Sequence, residues 1–123
     1  MINDPPKLDS SGIDIARAIL SISSDLQASN IVVLDVRTIS SFTNYFVLMT
    51  AESLRQIQAL ANNIEESLAQ TGIKPHHSEG TADSGWILLD YGDVMVHLFD
   101  HGNREFYNIE NLWDSTAVLF RIQ

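Results

Sequence analysis

Two short apolar runs constrain the fold of this chain more than any other feature. The first extends from Ile31 to Val36, and the second extends from Tyr45 to Met49. Dense apolar runs of this length are typical of strands that are buried on both faces of a sheet. Because such strands need helices packed against them, the two runs predict an α/β fold.

Apolar residues at helical spacing lie on both sides of these runs. Isoleucine and leucine recur every three or four residues over residues 12–27, which predicts a first amphipathic helix. A second helix is predicted to begin after Ser53, which forms a capping-box pattern with Gln56, and to end at Gly72. Two helices are therefore available to cover the sheet.

A β-hairpin is predicted near the C-terminal end of the chain. Trp86 to Asp90 and Val94 to Phe99 are rich in β-forming residues, and the Asp-Tyr-Gly-Asp segment between them is typical of a tight turn. Alternation along the second strand predicts one face with Val94, Val96 and Leu98 and the opposite face with Met95, His97 and Phe99.

Weaker patterns complete the predicted organisation. Lys74 to His77 form a candidate short strand, Ser78 to Gly85 a loop, and Ile109 to Trp113 a short helix. The apolar segment from Val118 to Ile122 receives no assignment. We expect a flexible segment over residues 1–11, a single domain with a mixed, helix-covered sheet over residues 12–113, and a tail over residues 114–123.

The charge balance bears on the choice of partner. The 123-residue chain has sixteen acidic and seven Lys or Arg residues, which gives a net charge of -9. The basic residues are scattered singly, whereas nucleic-acid binding needs them clustered, so we expect no direct sequence-specific nucleic-acid binding. A basic protein partner is favoured instead. No signal peptide and no apolar run of about 20 residues is present, so we expect a cytoplasmic protein without a membrane segment.

The candidates for chemistry leave one alternative open. His97 and His101 have the spacing of side chains on one strand face, with Asp90, Asp93 and Asp100 nearby, which allows a metal site or simply a packed strand histidine. A catalytic role for Ser53 is disfavoured because the capping box occupies its hydroxyl. The segment before this helix has no glycine, which disfavours a phosphate site there.

Aromatic residues concentrate around the hairpin and the segment that follows it. They are Trp86, Tyr91, Phe99, Phe106, Tyr107 and Trp113. Some of them must be core residues. If others lie on the outer face beside Asp90 and Asp93, they form an aromatic patch with an acidic rim, a composition typical of protein-binding surfaces.

Several segments match a known family in order and spacing. They are Leu34-Asp35-Val36, Thr43-Asn44-Tyr45-Phe46-Val47, Ser53-Leu54-Arg55-Gln56-Ile57, Glu79-Gly80, Gly85 to His97, and Arg104 to Trp113. Through them the sequence resembles the Iojap and ribosomal silencing factor family over about residues 13–113. The Trp-x-x-x-Asp-Tyr-Gly-Asp-Val-x-Val-His segment is the specific part of this resemblance.

The resemblance implies both a fold and a function. It implies a mixed-sheet α/β fold related to nucleotidyltransferases but without their catalytic carboxylates, and this sequence has no Asp-x-Asp pair. It further implies a non-enzymatic protein without a cofactor, which binds the large ribosomal subunit through large-subunit ribosomal protein fourteen. Such a protein blocks association with the small subunit and represses translation when nutrients are scarce.

The resemblance also implies a set of partner-binding residues. They are Trp86, Asp90, Tyr91, Gly92, Asp93, His97, Arg104 and Tyr107. In this interpretation Trp86 and Tyr91 are apolar anchors, the two aspartates pair with Lys or Arg of the partner, and Gly92 forms the turn. Alternatively, Trp86 is a core residue and the aspartates only stabilise the turn. Ala51 stands where the family commonly has glycine, which weakens a nucleotide site further.

Two other functions remain open from the sequence. The first is a small metal- or nucleotide-dependent transferase that uses Asp90, Asp93 and His97. The second is a structural homodimer in which the apolar face of the hairpin pairs with itself.

Overall fold

The computed structural model describes residues 11–112 and 117–123, and this part of the chain forms one α/β domain. Its helices are α1 (Gly12–Asp25), α2 (Leu54–Gln70) and α3 (His101–Tyr107). Its strands are β1 (Ser29–Asp35), β2 (Tyr45–Thr50), β3 (His77–Thr81), β4 (Trp86–Asp90), β5 (Val94–Phe99) and β6 (Val118–Ile122). Short 3-10 turns lie at Ala82–Ser84 and Ile109–Leu112.

The strands form a single six-stranded sheet in the order β3-β4-β5-β2-β1-β6. Strands β2 and β5 pair in parallel, and the other four pairs are antiparallel. The two apolar runs occupy central positions as β1 and β2, and every residue of β2 is buried. The mixed sheet confirms the predicted fold class.

Helices α1 and α2 cover one face of the sheet, called here the inner face. The main core lies between them and includes Ile19 of α1, Leu60 of α2 and Val96 of β5, all at 0% exposure. Each fully buried aliphatic side chain of this kind stabilises the fold by about 1.5–3 kcal/mol. The inner face is therefore fully occupied by the domain's own helices.

The opposite, outer face is only partly covered. A second buried cluster there consists of Val32, Leu34, Val36, Phe46, Leu48 and Phe99. Four partly buried side chains pack against this cluster: Ile109 and Val118 from the segments that follow α3, and Trp86 and Met95 from β4 and β5. The β4 side of the outer face therefore remains open to solvent.

The predicted helix start at Ser53 is confirmed, with one change in its hydrogen bonds. The Ser53 Oγ atom accepts a hydrogen bond from the Gln56 backbone N–H at 3.1 Å. The Gln56 side-chain oxygen accepts a hydrogen bond from the N–H of Glu52 at 2.6 Å, one residue before the position of a standard capping box. Both bonds satisfy N–H groups at or near the helix start.

The weaker predictions over residues 74–85 were wrong. The strand that pairs with β4 lies at His77–Thr81, not at Lys74–His77, and much of the predicted loop belongs to it. All five residues of β3 are exposed, so no apolar alternation marks the strand. Its structure depends on hydrogen bonding to β4, which is a non-local interaction.

The chain after β5 also differs from the prediction. Helix α3 begins earlier than the predicted helix because Asp100 Oδ1 accepts a hydrogen bond from the Asn103 N–H at 2.8 Å and caps it. Residues 109–112 form a 3-10 turn, while Trp113 lies outside the described residues. The unassigned apolar segment forms β6 and pairs with β1 at one edge of the sheet.

Candidate partner-binding surface

The β4–β5 hairpin positions most of the predicted site residues, and strand alternation determines which face each side chain occupies. Ile87 and Leu89 belong to the inner core, whereas Trp86, Leu88 and Asp90 point to the outer face. In β5, Val94, Val96 and Leu98 lie in the inner core, and Phe99 and Met95 pack in the outer cluster, as predicted. The open part of the outer face therefore carries the even-numbered residues of β4.

Trp86 is half-buried at the centre of an aromatic cluster on the outer face. Its ring centroid lies 4.4 Å from that of Tyr107 and 5.2 Å from that of Phe99. Its indole Nε1–H donates a hydrogen bond to Nδ1 of His97 at 3.3 Å. These contacts hold the indole in place while part of its surface stays accessible, as expected of an anchor residue.

His97 lies beneath Trp86 and is only 5% exposed. Burial lowers its pKa from 6.5 to about 4, with a smaller contribution from the positive charge of Arg104. Because Nδ1 accepts the Trp86 hydrogen bond, the neutral ring carries its proton on Nε2, which has no hydrogen-bond partner among the described residues. His97 therefore supports Trp86 from below, and little of it can contact a partner.

Tyr91 does not lie on the outer face, so little of it is accessible for the predicted role of an apolar anchor. Its side chain is 5% exposed and belongs to the inner core. The alternation of Ile87 and Leu89 continues into the turn and directs Tyr91 inward. Burial raises the pKa of its hydroxyl group, which has no hydrogen-bond partner in the described part of the chain.

The polar residues of the turn form hydrogen bonds within the protein. Asp90 Oδ1 accepts a hydrogen bond from the Gly92 N–H at 2.8 Å, and Gly92 has a φ of +84°, which favours glycine. Asp93 is exposed, and its Oδ1 accepts a hydrogen bond from the Asn44 side-chain amide at 3.3 Å. Asp90 thus stabilises the turn, Asp93 links it to the segment before β2, and Gly92 has the backbone conformation of a turn former.

Arg104 is buried at 5% exposure, so little of this predicted site residue is accessible to a partner. Its guanidinium group donates two hydrogen bonds to Glu110, at 3.1 and 2.7 Å, and one to Thr50 Oγ1 at 3.0 Å. Hydrogen bonding to Arg104 lowers the pKa of the Glu110 carboxyl group. Arg104 therefore joins α3 and the following 3-10 turn to the end of β2.

Phe106 and Tyr107 complete an exposed aromatic patch on the outer face. Phe106 is 78% exposed and Tyr107 is 44% exposed, and their rings meet edge to face with centroids 5.0 Å apart. Together with Trp86 and Leu88, they are called here the aromatic patch. An aromatic patch is therefore present on the outer face, but it is formed from β4 and α3, does not include Tyr91 and does not lie beside Asp90 and Asp93 as the prediction had it.

A groove of about 220 Å³ runs between this patch and the edge strand β3. Its lining residues are Glu79, Gly80, Ser84, Trp86, Leu88, Asn103 and Tyr107. Sequence reasoning missed Glu79 and Leu88 as site residues. Alternation from Trp86 to Leu88 could have identified the leucine, whereas the position of Glu79 depends on its pairing with Leu88 across the sheet.

The residues considered for chemistry do not converge in the structure. Within residues 11–112 and 117–123, no group of three or more His, Asp or Glu side chains is arranged to hold a metal ion. His101 lies on α3 and contacts Glu52 at 3.3 Å, away from the buried ring of His97.

No helix in the described part of the chain is long and apolar enough to cross a membrane.

Comparisons with known proteins identify the family. The model of the family described as ribosomal silencing factor during starvation matches residues 9–122. A ribosomal silencing factor from Bacillus subtilis is 37% identical over 94 residues, which is 76% of this chain and 80% of that protein. A chloroplastic Iojap protein from Zea mays is 32% identical over 111 residues, which is 90% of this chain and 48% of that protein.

Solved structures agree with this result. A crystal structure of a protein from Chromobacterium violaceum is similar with a TM-score of 0.80 at 32% identity, covering 84% of this chain and 86% of the other. A crystal structure of a Bacillus halodurans protein has a TM-score of 0.74 at 28% identity, with coverages of 90% and 98%. The fold, the match over residues 9–122 and these relatives show that the chain belongs to the ribosomal silencing factor family, also called Iojap.

Proposed function

We propose that this protein binds the large ribosomal subunit through large-subunit ribosomal protein fourteen and thereby keeps the small subunit from joining. Translation is then repressed when nutrients are limiting, and the protein acts in the cytoplasm. In this proposal the protein is a steric blocker with no reaction and no cofactor. Membership in the ribosomal silencing factor family supports the role in silencing ribosomes.

The observation that carries the proposal is the aromatic patch. Four large apolar side chains, Trp86, Leu88, Phe106 and Tyr107, lie together at the uncovered part of the outer face. Protein-binding hot spots are rich in Trp and Tyr that are held by their neighbours and surrounded by polar groups. Here the indole of Trp86 is held by His97, and Glu79 lies at the rim.

Charge supports a ribosomal protein as the partner. The net charge of -9 attracts a basic protein and repels the phosphate backbone of RNA. Apolar contacts at the patch and long-range attraction from the acidic surface act together in this arrangement. Binding is therefore expected to weaken as salt concentration rises, since exposed charges are screened.

The test is co-sedimentation with isolated ribosomal subunits on a sucrose gradient. Wild-type protein is expected to move with the large subunit and to reduce the formation of intact ribosomes when the small subunit is added. Trp86→Ala is expected to weaken binding by about 30-fold or more, the effect of losing a hot-spot residue. Because Trp86 also packs on Phe99, melting of this variant is measured first.

A second variant separates binding from folding. Leu88→Lys introduces a charge into the patch at a half-buried position, and Leu54→Lys introduces the same charge at the start of α2, where Leu54 is 43% exposed. Only Leu88→Lys is expected to lose large-subunit binding. Equal binding by both variants contradicts the assignment of the patch, and wild-type protein that stays at the top of the gradient at every salt concentration contradicts the proposed function.

A further inference from the structure

The geometry of the groove points to an arginine side chain of the protein partner as its occupant. This inference rests on the proposed function and deepens it, because it states which chemical group on the partner the groove recognises. The resemblance to the family implies that Asp90 and Asp93 pair with the basic residues of the partner. The structure offers a better-formed site on the other side of the aromatic patch, between β4 and the edge strand β3.

The walls of the groove are suited to a flat cation with an apolar stem. The rings of Trp86 and Tyr107 meet at an interplanar angle of 44° with centroids 4.4 Å apart, so they form two adjoining aromatic surfaces. Leu88 lines the groove beside them. An arginine stem packs on such apolar surfaces, and its guanidinium group is attracted to the face of an aromatic ring, Trp above all.

Glu79 supplies a negative charge at the rim. It pairs with Leu88 across the β3–β4 ladder, so its side chain is on the outer face and next to the groove. Its carboxylate contacts His77 at 2.8 Å and is 65% exposed, and no Lys or Arg pairs with it in residues 11–112 and 117–123. The carboxylate is therefore accessible to a cation that enters from the partner.

Asn103 lines the α3 side of the groove. Its side-chain nitrogen donates hydrogen bonds to the Ser84 carbonyl at 3.2 Å and to Asp100 Oδ1 at 3.0 Å. These two bonds fix the amide, so the orientation of its oxygen is set as well. The Glu79 carboxylate matches a guanidinium group, which donates hydrogen bonds in several directions within one plane.

These features favour arginine over lysine. A lysine ammonium group is compact and strongly hydrated, whereas guanidinium is flat, weakly hydrated and able to stack on a ring while it pairs with a carboxylate. The volume of about 220 Å³ suits a single long side chain and not a folded peptide segment. The charge of -9 on the protein directs such a basic residue toward this surface.

The first experiment titrates the protein with N-acetyl-arginine amide and follows backbone amide and indole N–H signals by NMR. The signals of Gly80, Ser84 and Trp86 are expected to shift in a saturable way, with an affinity in the millimolar range. N-acetyl-citrulline amide, which has the same shape without the charge, is expected to shift them at least fivefold less. Equal shifts with both amides, or no shifts with either, overturn the inference.

The second experiment measures large-subunit binding by Glu79→Gln, with Glu66→Gln on the exposed surface of α2 as the matched control. Glu79→Gln is expected to weaken binding by roughly threefold to tenfold, and the control is expected to bind as wild type. Equal binding by Glu79→Gln overturns the inference and leaves the proposed function intact. If wild-type protein does not bind the large subunit, the proposed function is overturned. The titration with the two amides then still decides whether the groove binds guanidinium.

A second copy of the chain is the competing occupant. If the same signals shift on concentrating the protein alone, and ultracentrifugation shows a dimer that Trp86→Ala abolishes, the groove belongs to a self-association surface and the arginine assignment is overturned.

Discussion

The buried imidazole of His97 makes the stability of this protein sensitive to mild acid. In the folded chain its pKa is lowered to about 4, while an unfolded chain has the ordinary value of 6.5. Between these values the unfolded state binds a proton that the folded state does not bind. The free energy of unfolding should therefore fall as pH decreases below about 6.5, and the loss should be complete below about pH 4.

The size of the effect follows from the two pKa values. At full extent the difference corresponds to roughly 3 kcal/mol. Between about pH 7.5 and about pH 5.5, the loss amounts to about 1.3 kcal/mol, or about 5 °C in Tm for a chain of 123 residues. Arginine neighbours lower the pKa values of Glu110 and Asp35, and their stabilising contributions are lost only below about pH 4.5. The chosen window therefore isolates histidine titration from these two groups.

The assay is urea unfolding at the two pH values, compared between wild type and His97→Asn. The asparagine oxygen retains an acceptor for the indole N–H of Trp86 but cannot titrate. Between the two pH values, the free energy of unfolding of this variant is expected to fall by about 1.3 kcal/mol less than that of wild type, whatever its stability at neutral pH. His76→Asn, which removes an exposed imidazole, is the matched control. If His97→Asn and wild type show the same dependence on pH, the reasoning is refuted.

Three further predictions concern the free energy of unfolding. Gly80→Ala should lower the free energy of unfolding, measured in urea, by at least about 2 kcal/mol more than Gly72→Ala does. Both glycines have a φ of +85°, but only at Gly80 would a Cβ collide with a backbone carbonyl. Equal losses in the two variants would contradict the collision. Glu110→Gln should lower the free energy of unfolding by roughly 2 kcal/mol, because it leaves the buried Arg104 without its charge partner. A double-mutant cycle with Arg104→Met should show coupling between the two residues, and additive effects would contradict this ion pair's contribution. Ser53→Ala should cost about 1 kcal/mol through the lost helix cap, and an unchanged Tm would argue against a stabilising role for this bond.

The parts of the fold that local patterns encode were predicted correctly from the sequence. The two apolar runs, the helix after Ser53 and the alternation in β5 each depend on residues close together in the chain. Strand β3 could not be found in this way because all of its residues are exposed, and only its hydrogen bonds to β4 define it.

The candidate site divides along the same line. The sequence left open whether Trp86 is an anchor or a core residue, and strand alternation, a local feature, places it half-buried on the outer face. Arg104 is predicted to bind the partner, since no pattern reveals that it hydrogen-bonds Thr50, which is 54 residues away in the chain. The burial of Tyr91, in contrast, could have been predicted from the sequence. Continuing the alternation of Ile87 and Leu89 by one step places its side chain in the inner core.

The pairing of β6 with β1 has a consequence for the protein during its synthesis. The ribosome makes β1 early, but the strand that covers its outer edge is residues 118–122. Strand β1 can pair with β2 as soon as both emerge. Its other edge stays unpaired until β6 is made, nearly ninety residues after the end of β1, which takes roughly 5–20 seconds of translation. Over that interval an apolar strand exposes unpaired backbone groups that favour aggregation. Chains that stop before residue 118 should therefore require chaperones or be degraded, even though they contain the hairpin and the aromatic patch.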